Sequence, residues 1–454
     1  MISPRLMWRI IKGYIVDVDR TRRLLEDELK RYQEKAFLKV LRYAFKIPLY
    51  RRKYREAGIS LDDIRRLKDI EKIPFITKDD FRNSSSEDLL PPYANRMRYS
   101  MVATSGSTGK PVRLYIDQFY MFSTLIGFVR ILKEHGVRWN KTKMAVVADL
   151  SPDSSESAHL TRYALPLLRN ILPLRNLKVY HIGDGPERII NDLNRFNPEL
   201  IGGYPGIIKT LAILKRKGLG KNVQPRLIST TGAVLDEYTK EYIEKAFNAR
   251  VFEVYGATEC SHIAFQCSMG NYHILSDFVY PEFLESKQIF SENEGNLVIT
   301  RLYGGGTPVI RYTGLNDFVV PSSRKCSCGI NTPLIERVEG RRVDSIILPN
   351  GRIISPFTIT TIPHKVMHMF KTEIIQQFQI IQESINEINV LVVIDKKFLR
   401  KTRLEQIFNK MKEKFTRILG EDVKINIKEV DEISMRRKGT VTPPPVVISK
   451  VGSR

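Results

Sequence analysis

The strongest indication of the fold comes from a segment rich in glycine and hydroxyl groups, Thr104-Ser105-Gly106-Ser107-Thr108-Gly109-Lys110-Pro111. Backbone N–H groups and hydroxyls around two glycines can turn toward a chain of phosphates, and Lys110 adds a positive charge. The spacing differs from the Walker motif, which places four residues between its first glycine and the Gly-Lys pair. A flexible Ser/Gly linker is the alternative. Strand-like residues flank the segment on both sides, so we predict a phosphate-binding loop.

Downstream of this loop the chain alternates strands with helices until about residue 260. Such alternation predicts an α/β fold with a largely parallel sheet. Residues 271–338 contain shorter strands and more turns, which predicts an antiparallel β unit. Apolar runs predict the strands 144–148, 177–182, 200–203, 227–230 and 251–255, and helical periodicity predicts the helices 187–196, 206–217 and 236–247.

Beyond residue 340 the pattern changes once more. Apolar alternation predicts strands at 345–348, 374–381 and 388–394, and a basic amphipathic helix is predicted at 399–419. A compact α+β unit of this kind is typical of a small second domain. We therefore expect a large N-terminal domain over residues 1–340 and a small C-terminal domain over residues 341–454.

The composition is that of a globular protein with a strongly basic surface. Lys and Arg number 73 against 50 Asp and Glu, which gives a net charge of +23 over 454 residues. This charge favours polyanions, namely nucleic acid, an anionic membrane face, or ligands such as ATP and coenzyme A. Charge alone does not rank them, but no base-reading module supports specific nucleic-acid binding.

The chain shows features of a cytoplasmic protein. Four cysteines in so long a chain do not form a secreted disulfide framework. No run approaches the roughly twenty apolar residues that span a bilayer, so we expect no transmembrane segment. The first eighteen residues lack the apolar core of a signal peptide. They mix basic and apolar side chains, so peripheral contact with a membrane surface stays open, as does a homodimer.

Three further motifs follow the loop in a fixed order: Tyr255-Gly256-Ala257-Thr258-Glu259, then Arg311-Tyr312 before Asp317, then Gly340-Arg341 before Asp344. This order resembles the adenylate-forming superfamily. The segments 41–58 (LRYAFKIPLYRRKYREAG) and 68–81 (KDIEKIPFITKDDF) resemble the N-terminal region of the phenylacetate–coenzyme A ligase family, which includes CapK and coenzyme F390 synthetase-like proteins. The resemblance covers nearly the whole chain.

The resemblance implies an enzyme that activates a carboxylic acid with ATP to an acyl-adenylate and then transfers the acyl group to coenzyme A. An adenylyltransferase of the CapK or F390 synthetase type, which forms no thioester, is the alternative. The large domain would bind AMP, and the small domain would rotate about a hinge near Asp344. The sequence does not identify the acid. Tyr204-Pro205-Gly206 and residues 151–159 are candidates for the pocket that binds it.

The resemblance also implies a nucleotide site. Thr104 and the residues from Ser105 to Lys110 would hold the β- and γ-phosphates. Gly232 and Ala233 would lie against the adenine edge, and Asp317 would accept hydrogen bonds from the ribose hydroxyls. Further implied nucleotide contacts are Tyr255, which would stack on the base, its neighbour Gly256, and Arg341 near the ribose.

The implied catalytic residues are Thr258 at the α-phosphate, Glu259 as the Mg²⁺ ligand, and Lys438. Attack of a carboxylate on phosphorus brings anions together, so such a site needs cations, oriented donors and a metal. Two departures from the family pattern stand out. The family usually has Arg-Tyr-x-Thr-Gly-Asp, whereas here Leu315 and Asn316 stand between Thr313-Gly314 and Asp317, which reshapes that loop. Lys438 precedes a glycine, whereas relatives place the lysine after one.

The cysteines support a separate metal hypothesis. Cys267 and His273 lie six residues apart, and Cys326-Ser327-Cys328 follows about fifty residues later. Three thiols and one imidazole match a closed, structural Zn²⁺ site, and free buried cysteines are the alternative. His364 and His368 share a helical spacing but lack the glutamate of a zinc protease motif, so we interpret them as surface or packing residues.

Overall fold

The computed structural model describes residues 4–104, 111–152, 154–162, 174–285, 296–396, 401–433 and 446–451. Its helices are α1 Pro4–Ile15, α2 Arg20–Arg23, α3 Glu26–Ala44, α4 Pro48–Glu56, α5 Lys78–Arg82, α6 Gln118–Glu134, α7 Ser155–Ser157, α8 Pro186–Phe196, α9 Pro205–Arg216, α10 Glu237–Phe247, α11 Pro356–Met369 and α12 Lys401–Leu419.

The strands follow in chain order. They are β1 Tyr99–Ala103, β2 Arg113–Asp117, β3 Met144–Ala148, β4 Leu177–His181, β5 Leu200–Gly203, β6 Leu227–Thr231, β7 Arg250–Ala257, β8 Ser261–Gln266, β9 Tyr272–Ile274, β10 Val279–Phe283, β11 Leu297–Arg301, β12 Asp317–Ser322, β13 Leu334–Arg341, β14 Ile346–Ile347, β15 Ile353–Ile354, β16 Ile375–Ser384, β17 Glu387–Ile394, β18 Lys424–Glu429 and β19 Val447–Ser449.

The predicted helices begin and end at residues that favour those ends. Asp236 caps α10, because its carboxylate accepts a hydrogen bond from the amide of Thr239 at 2.9 Å. The helix ends at Asn248, whose φ of 50° is left-handed. In α8, Pro186 stands at the first position, where its missing N–H costs nothing, and Asn197 ends the helix with a φ of 47°. Local chemistry therefore explains why these two predictions agree with the structure.

A nine-stranded mixed sheet forms the centre of the large domain, in the order β12-β13-β9-β8-β7-β6-β5-β3-β4. The strands from β4 to β7 are parallel, as predicted. The expected antiparallel unit over residues 271–338 is only partly separate, because β9, β12 and β13 extend the same sheet. The remaining pair in that region, β10 and β11, forms its own ladder.

The parallel half joins the antiparallel half at a tight hairpin after β7. A Cβ atom on Gly256 would lie 2.5 Å from the carbonyl oxygen of Ser261, so only glycine permits β8 to return this closely. Ser261 itself has a φ of 60°. The hairpin places the sequence Thr258-Glu259 at the edge of the sheet, where β7 ends.

The C-terminal region forms a four-stranded sheet in the order β18-β17-β16-β19, with α11 and α12 beside it. Its core is continuous with the helix layer of the large domain, since one cluster of buried side chains contains Ile208 and Ile243 together with Val366 and Ile380. This architecture confirms the predicted α/β class with a small α+β C-terminal domain. Within the described ranges, no helix has the length and apolar character needed to cross a membrane.

Candidate nucleotide site

Three residues from distant motifs meet at the proposed ribose position. The hydroxyl of Tyr255, near the end of β7, donates a hydrogen bond to Oδ2 of Asp317 at 2.5 Å. Arg341 ends β13 opposite Asp317, and its Nε lies 3.7 Å from Oδ1 of Asp317. Burial raises the pKa of Asp317, and the charge of Arg341 acts in the opposite direction. The structure therefore brings together three of the implied nucleotide residues.

Glu259 lies beside this group and is almost fully buried, with 4% of its surface exposed. Its Oε1 accepts a hydrogen bond from the hydroxyl of Tyr312 at 3.0 Å. Burial raises the pKa of Glu259, while the charge of Lys78 and the Tyr312 hydrogen bond lower it. A nearby cation stabilises the ionised form of a buried carboxylate, and carboxylate oxygens are common ligands of Mg²⁺.

The reshaped loop after Arg311-Tyr312 supports this contact. A Cβ atom on Gly314 would lie 2.3 Å from the Tyr312 hydroxyl oxygen, so glycine is required where that hydroxyl passes. Arg311 is not aimed at the nucleotide site. Its guanidinium pairs with Glu282 at 2.8 Å and donates to the carbonyl of Ile73 at 2.6 Å. The motif at 311–317 thus serves mainly to position Tyr312 and Asp317.

Lys78 is a site residue that the sequence analysis missed. It is the first residue of α5, and burial lowers its pKa while the negative charge of Glu259 raises it. The charge of Asp317 also raises the pKa of Lys78, so this ammonium group lies in the field of both carboxylates. Lys78 lies in the segment 68–81, but α5 is only five residues long. Hydrophobic periodicity over so short a helix does not indicate the direction of the Lys78 side chain.

Residues 105–110 of the predicted phosphate loop lie outside the described residues, whereas both ends of the loop are described. The amide of Thr104 donates to the carbonyl of Val112 at 2.9 Å, and the Val112 amide donates to Oγ1 of Thr104 at 3.0 Å. These bonds continue the antiparallel ladder of β1 and β2. Strands β1 and β2 are therefore the two arms of a β-hairpin and flank residues 105–110, which agrees with the predicted strands on both sides.

Arg301 connects this hairpin to Glu259. The amide of Thr307 donates to the carbonyl of Tyr115 in β2 at 2.8 Å. Arg301 donates from Nη2 to the carbonyl of Thr307 at 2.6 Å and from Nη1 to the carbonyl of Glu259 at 2.8 Å. Arg301 is fully buried, so these bonds form in a poorly solvated interior. The hydrogen bonds of Arg301 and Thr307 thus link the β1–β2 hairpin to Glu259.

The remaining implied residues differ in their settings. Thr258 accepts a hydrogen bond at its carbonyl from Tyr120 at 3.3 Å. Gly232 has a φ of 80°, and a Cβ atom there would lie 2.5 Å from the ring of Tyr204. Ala233, beside Gly232, is exposed. Lys438 lies outside the described residues.

The four predicted zinc ligands converge. The Sγ atoms of Cys267 and Cys326 are 3.7 Å apart, and Sγ of Cys328 lies 3.2 Å from Nε2 of His273. All four donor atoms lie within 4.8 Å of one another. We call this group the Cys3His cluster. The other thiol, Cys260, is buried elsewhere and lies beside Glu259.

Comparison with known proteins identifies the relatives of the chain. Residues 346–442 match the CapK C-terminal domain family. The protein CapK of Staphylococcus aureus is 26% identical, over 72% of this chain and 69% of that protein. A phenylacetate-coenzyme A ligase of Thermus thermophilus is 24% identical, over 93% of this chain and 94% of that enzyme.

A solved structure of similar architecture is 2-hydroxyisobutyryl-CoA ligase in its postadenylation state in complex with an acyl-AMP. The TM-score is 0.77 at 20% identity, over 95% of this chain and 92% of that one. The chain therefore has the fold of the adenylate-forming ligases, its residues 346–442 match the CapK C-terminal domain family, and its sequence is similar to those of CapK and of phenylacetate–coenzyme A ligases.

Proposed function

We propose that this protein activates a carboxylic acid with ATP to give an acyl-adenylate and then transfers the acyl group to coenzyme A. The observation that carries this proposal is the meeting of Glu259, Asp317, Lys78 and Arg341 at the edge of one sheet. Two buried carboxylates with two cations beside them match a site that binds a magnesium nucleotide. The named activity of the phenylacetate–coenzyme A ligase relatives supports the acid and the thiol acceptor.

The contacts suggest how the nucleotide is held. Asp317 accepts hydrogen bonds from the ribose hydroxyls through a carboxylate that Tyr255 and Arg341 already orient. Gly232 and Ala233 lie against the adenine edge, and Tyr255 stacks on the base. Thr104 and residues 105–110 bind the β- and γ-phosphates. Glu259 supplies the oxygen ligand for Mg²⁺, which neutralises phosphate charge when bound there.

The first step joins two anions, so its barrier depends on local positive charge. A carboxylate oxygen of the acid attacks the α-phosphorus. The bond from that phosphorus to the α–β bridging oxygen breaks, and pyrophosphate leaves with the electron pair. Lys78 and Arg341 place positive charge in the cleft before the acid arrives, and the hydroxyl of Thr258 donates to the α-phosphate.

The second step uses the small domain. The sulfur of coenzyme A loses its proton and attacks the acyl carbonyl, after which the carbon–oxygen bond to AMP breaks. We propose that residues 341–454 rotate about Asp344 between the two steps, as domain closures commonly do in multistep enzymes. Lys438 is the proposed catalytic lysine of this domain.

The acid pocket is proposed beside the adenine edge. The hydroxyl of Tyr204, whose ring packs against Gly232, donates to Oε1 of Glu156 at 2.5 Å. Burial raises the pKa of Glu156. Nε2 of His159, a buried side chain in the same segment, has no hydrogen-bond partner. Buried polar groups of this kind orient a substrate rather than merely enclosing it, so we propose a pocket for an acid that carries a polar substituent.

We propose that the Cys3His cluster holds a structural Zn²⁺. Zinc–sulfur bonds of about 2.3 Å in a tetrahedron place two sulfurs about 3.8 Å apart, close to the 3.7 Å between Cys267 and Cys326. The amide of Met269 and the side-chain amide of Asn271 donate to the two sulfurs at 3.3 Å, which favours thiolates. The cluster ties β9 to the segment before β13.

We further propose that α1 contacts an anionic membrane surface from the cytoplasm, where ATP and coenzyme A are supplied. Trp8, Ile11 and Ile15 expose 61%, 50% and 65% of their surfaces, whereas Gly13 packs against Ile126 of α6. A net charge of +23 complements anionic lipid headgroups. Sedimentation with anionic but not zwitterionic vesicles, reduced in Trp8→Ala, is expected; equal sedimentation with both vesicles contradicts the proposal.

The decisive test of the activity is pyrophosphate release from ATP across a panel of aryl, aliphatic and hydroxy acids. Acid-dependent release followed by thioester formation on adding coenzyme A supports the proposal. Release without a thioester supports the adenylyltransferase alternative. Release with no acid present, or none with any acid, contradicts both. The matched control is Glu421→Gln, which changes an exposed glutamate in the turn after α12.

A further inference from the structure

A second cluster of metal-ligating side chains lies between the large domain and the C-terminal domain. Glu241 projects from α10, and His364 and His368 stand one turn apart on α11. Nε2 of His364 lies 3.1 Å from Oε1 of Glu241, and Nε2 of His368 lies 3.3 Å from the same oxygen. The sequence predicts surface or packing roles for both histidines, but in the structure both lie close to one carboxylate oxygen of Glu241.

We propose that Glu241, His364 and His368 form a binding site for a divalent transition metal ion. Metal–ligand bonds of about 2.0–2.1 Å in a tetrahedron place neighbouring donor atoms about 3.3 Å apart. The two nitrogen–oxygen distances therefore already match the edges of a coordination tetrahedron. All three donor atoms lie within 4.8 Å of one another, and histidines at i and i+4 commonly bind one metal ion from one helical face.

The surroundings of the cluster give a metal ion access from solvent, and they leave space for a water ligand. A cavity of about 280 Å³ adjoins the cluster and is open to solvent. Lys245 lies 3.7 Å from Oε2 of Glu241, but it also pairs with Glu373 at 2.6 Å, which offsets much of its charge. Lys371 lines the same cavity. Imidazole ligands favour Zn²⁺, Ni²⁺ or Cu²⁺, whereas Mg²⁺ prefers oxygen ligands, so we expect no binding of Mg²⁺.

The location gives the site a consequence. Glu241 belongs to the large domain, and both histidines lie inside the segment that matches the CapK C-terminal domain. Glu373 adds ion pairs across the same boundary, with Arg216 at 2.7 Å and with Lys245. A metal ion at the cluster would add a coordinate cross-link between α10 and α11. The metal site does not depend on the proposed function. Restraint of a domain rotation by the metal ion rests on the proposed function, because the rotation is part of it.

The test is a titration of the full-length protein with Ni²⁺, followed by calorimetry, with zinc retained in the Cys3His cluster. The variants are Glu241→Gln and the double variant His364→Ala/His368→Ala, and the matched control is Met369→Ala, an exposed residue on the same helix without a donor. We expect one nickel ion bound by wild type and control, and a loss of affinity of at least about tenfold in both site variants.

Hydrogen exchange of residues 356–369 supplies a readout that is independent of activity. Nickel is expected to slow this exchange in the wild type and in Met369→Ala, but not in Glu241→Gln. Equal nickel affinity in all four proteins, or no binding by the wild type, overturns the metal site. Nickel binding that leaves the exchange unchanged overturns the cross-link. Failure of acid activation in the same preparations would instead contradict the proposed function.

Discussion

Replacing Asp317 with asparagine tests how the ribose is recognised. The side chain keeps its size and one oxygen, but it loses the charge that Arg341 faces at 3.7 Å and that Tyr255 hydrogen-bonds at 2.5 Å. Asp317 is 7% exposed, so water compensates little. A hydrogen bond to a charged group contributes about 1.5–3 kcal/mol. We therefore expect a loss of roughly 10- to 150-fold in kcat/KM for ATP.

The assay compares ATP with 2′-deoxy-ATP and 3′-deoxy-ATP in acid-dependent pyrophosphate release. The wild type should discriminate against both deoxy nucleotides, because each removes one donor to a buried carboxylate. Asp317→Asn should discriminate much less, since the charged acceptor is already gone. If the variant keeps the same ratio of ATP to deoxy-ATP activity as the wild type, Asp317 does not hold the ribose and the assignment is wrong.

Three more outcomes follow from the contacts. Tyr312→Phe removes a hydrogen bond that lowers the pKa of Glu259, so the pKa of Glu259 should rise further in the variant. Because a protonated Glu259 no longer binds the metal ion, the variant should lose adenylation activity at a higher pH than the wild type when the solution is acidified. Gly232→Ala forces a Cβ atom to within 2.5 Å of the Tyr204 ring at a φ of 80°, and denaturant unfolding should show a loss of about 1–3 kcal/mol. Chelation of zinc should lower the melting temperature of the wild type and of Cys260→Ala alike, because Cys260 lies outside the Cys3His cluster; an unchanged melting temperature on removing bound zinc would contradict a structural role.

The parallel half of the sheet could be predicted because each of its strands is a short apolar run between helices with clear ends. Strands β3 and β5 begin and end at the predicted residues. The antiparallel half was predicted as a unit, but its attachment to β7 was not. That attachment depends on the close approach of Ser261 to Gly256, which is a tertiary distance and leaves no periodic signal.

The site residues that could be predicted lie in local sequence patterns, whereas those that could not be predicted depend on tertiary contacts. Glu259 and Asp317 lie in motifs of fixed order, and the four ligands of the Cys3His cluster have a metal-binding spacing. Lys78 could not be found, because its role comes from the charges it faces across the cleft. The pairing of Glu241 with His364 joins residues 123 positions apart and depends on how two domains pack.

The central claim is that a carboxylate oxygen attacks the α-phosphorus of ATP in the site around Glu259 and Asp317. The most direct measurement supplies the protein with an acid labelled with ¹⁸O in its carboxylate, together with ATP and coenzyme A, and analyses the products by mass spectrometry. We expect AMP that carries one ¹⁸O atom from the acid, together with unlabelled pyrophosphate. Unlabelled AMP, or ADP and labelled phosphate, would contradict it.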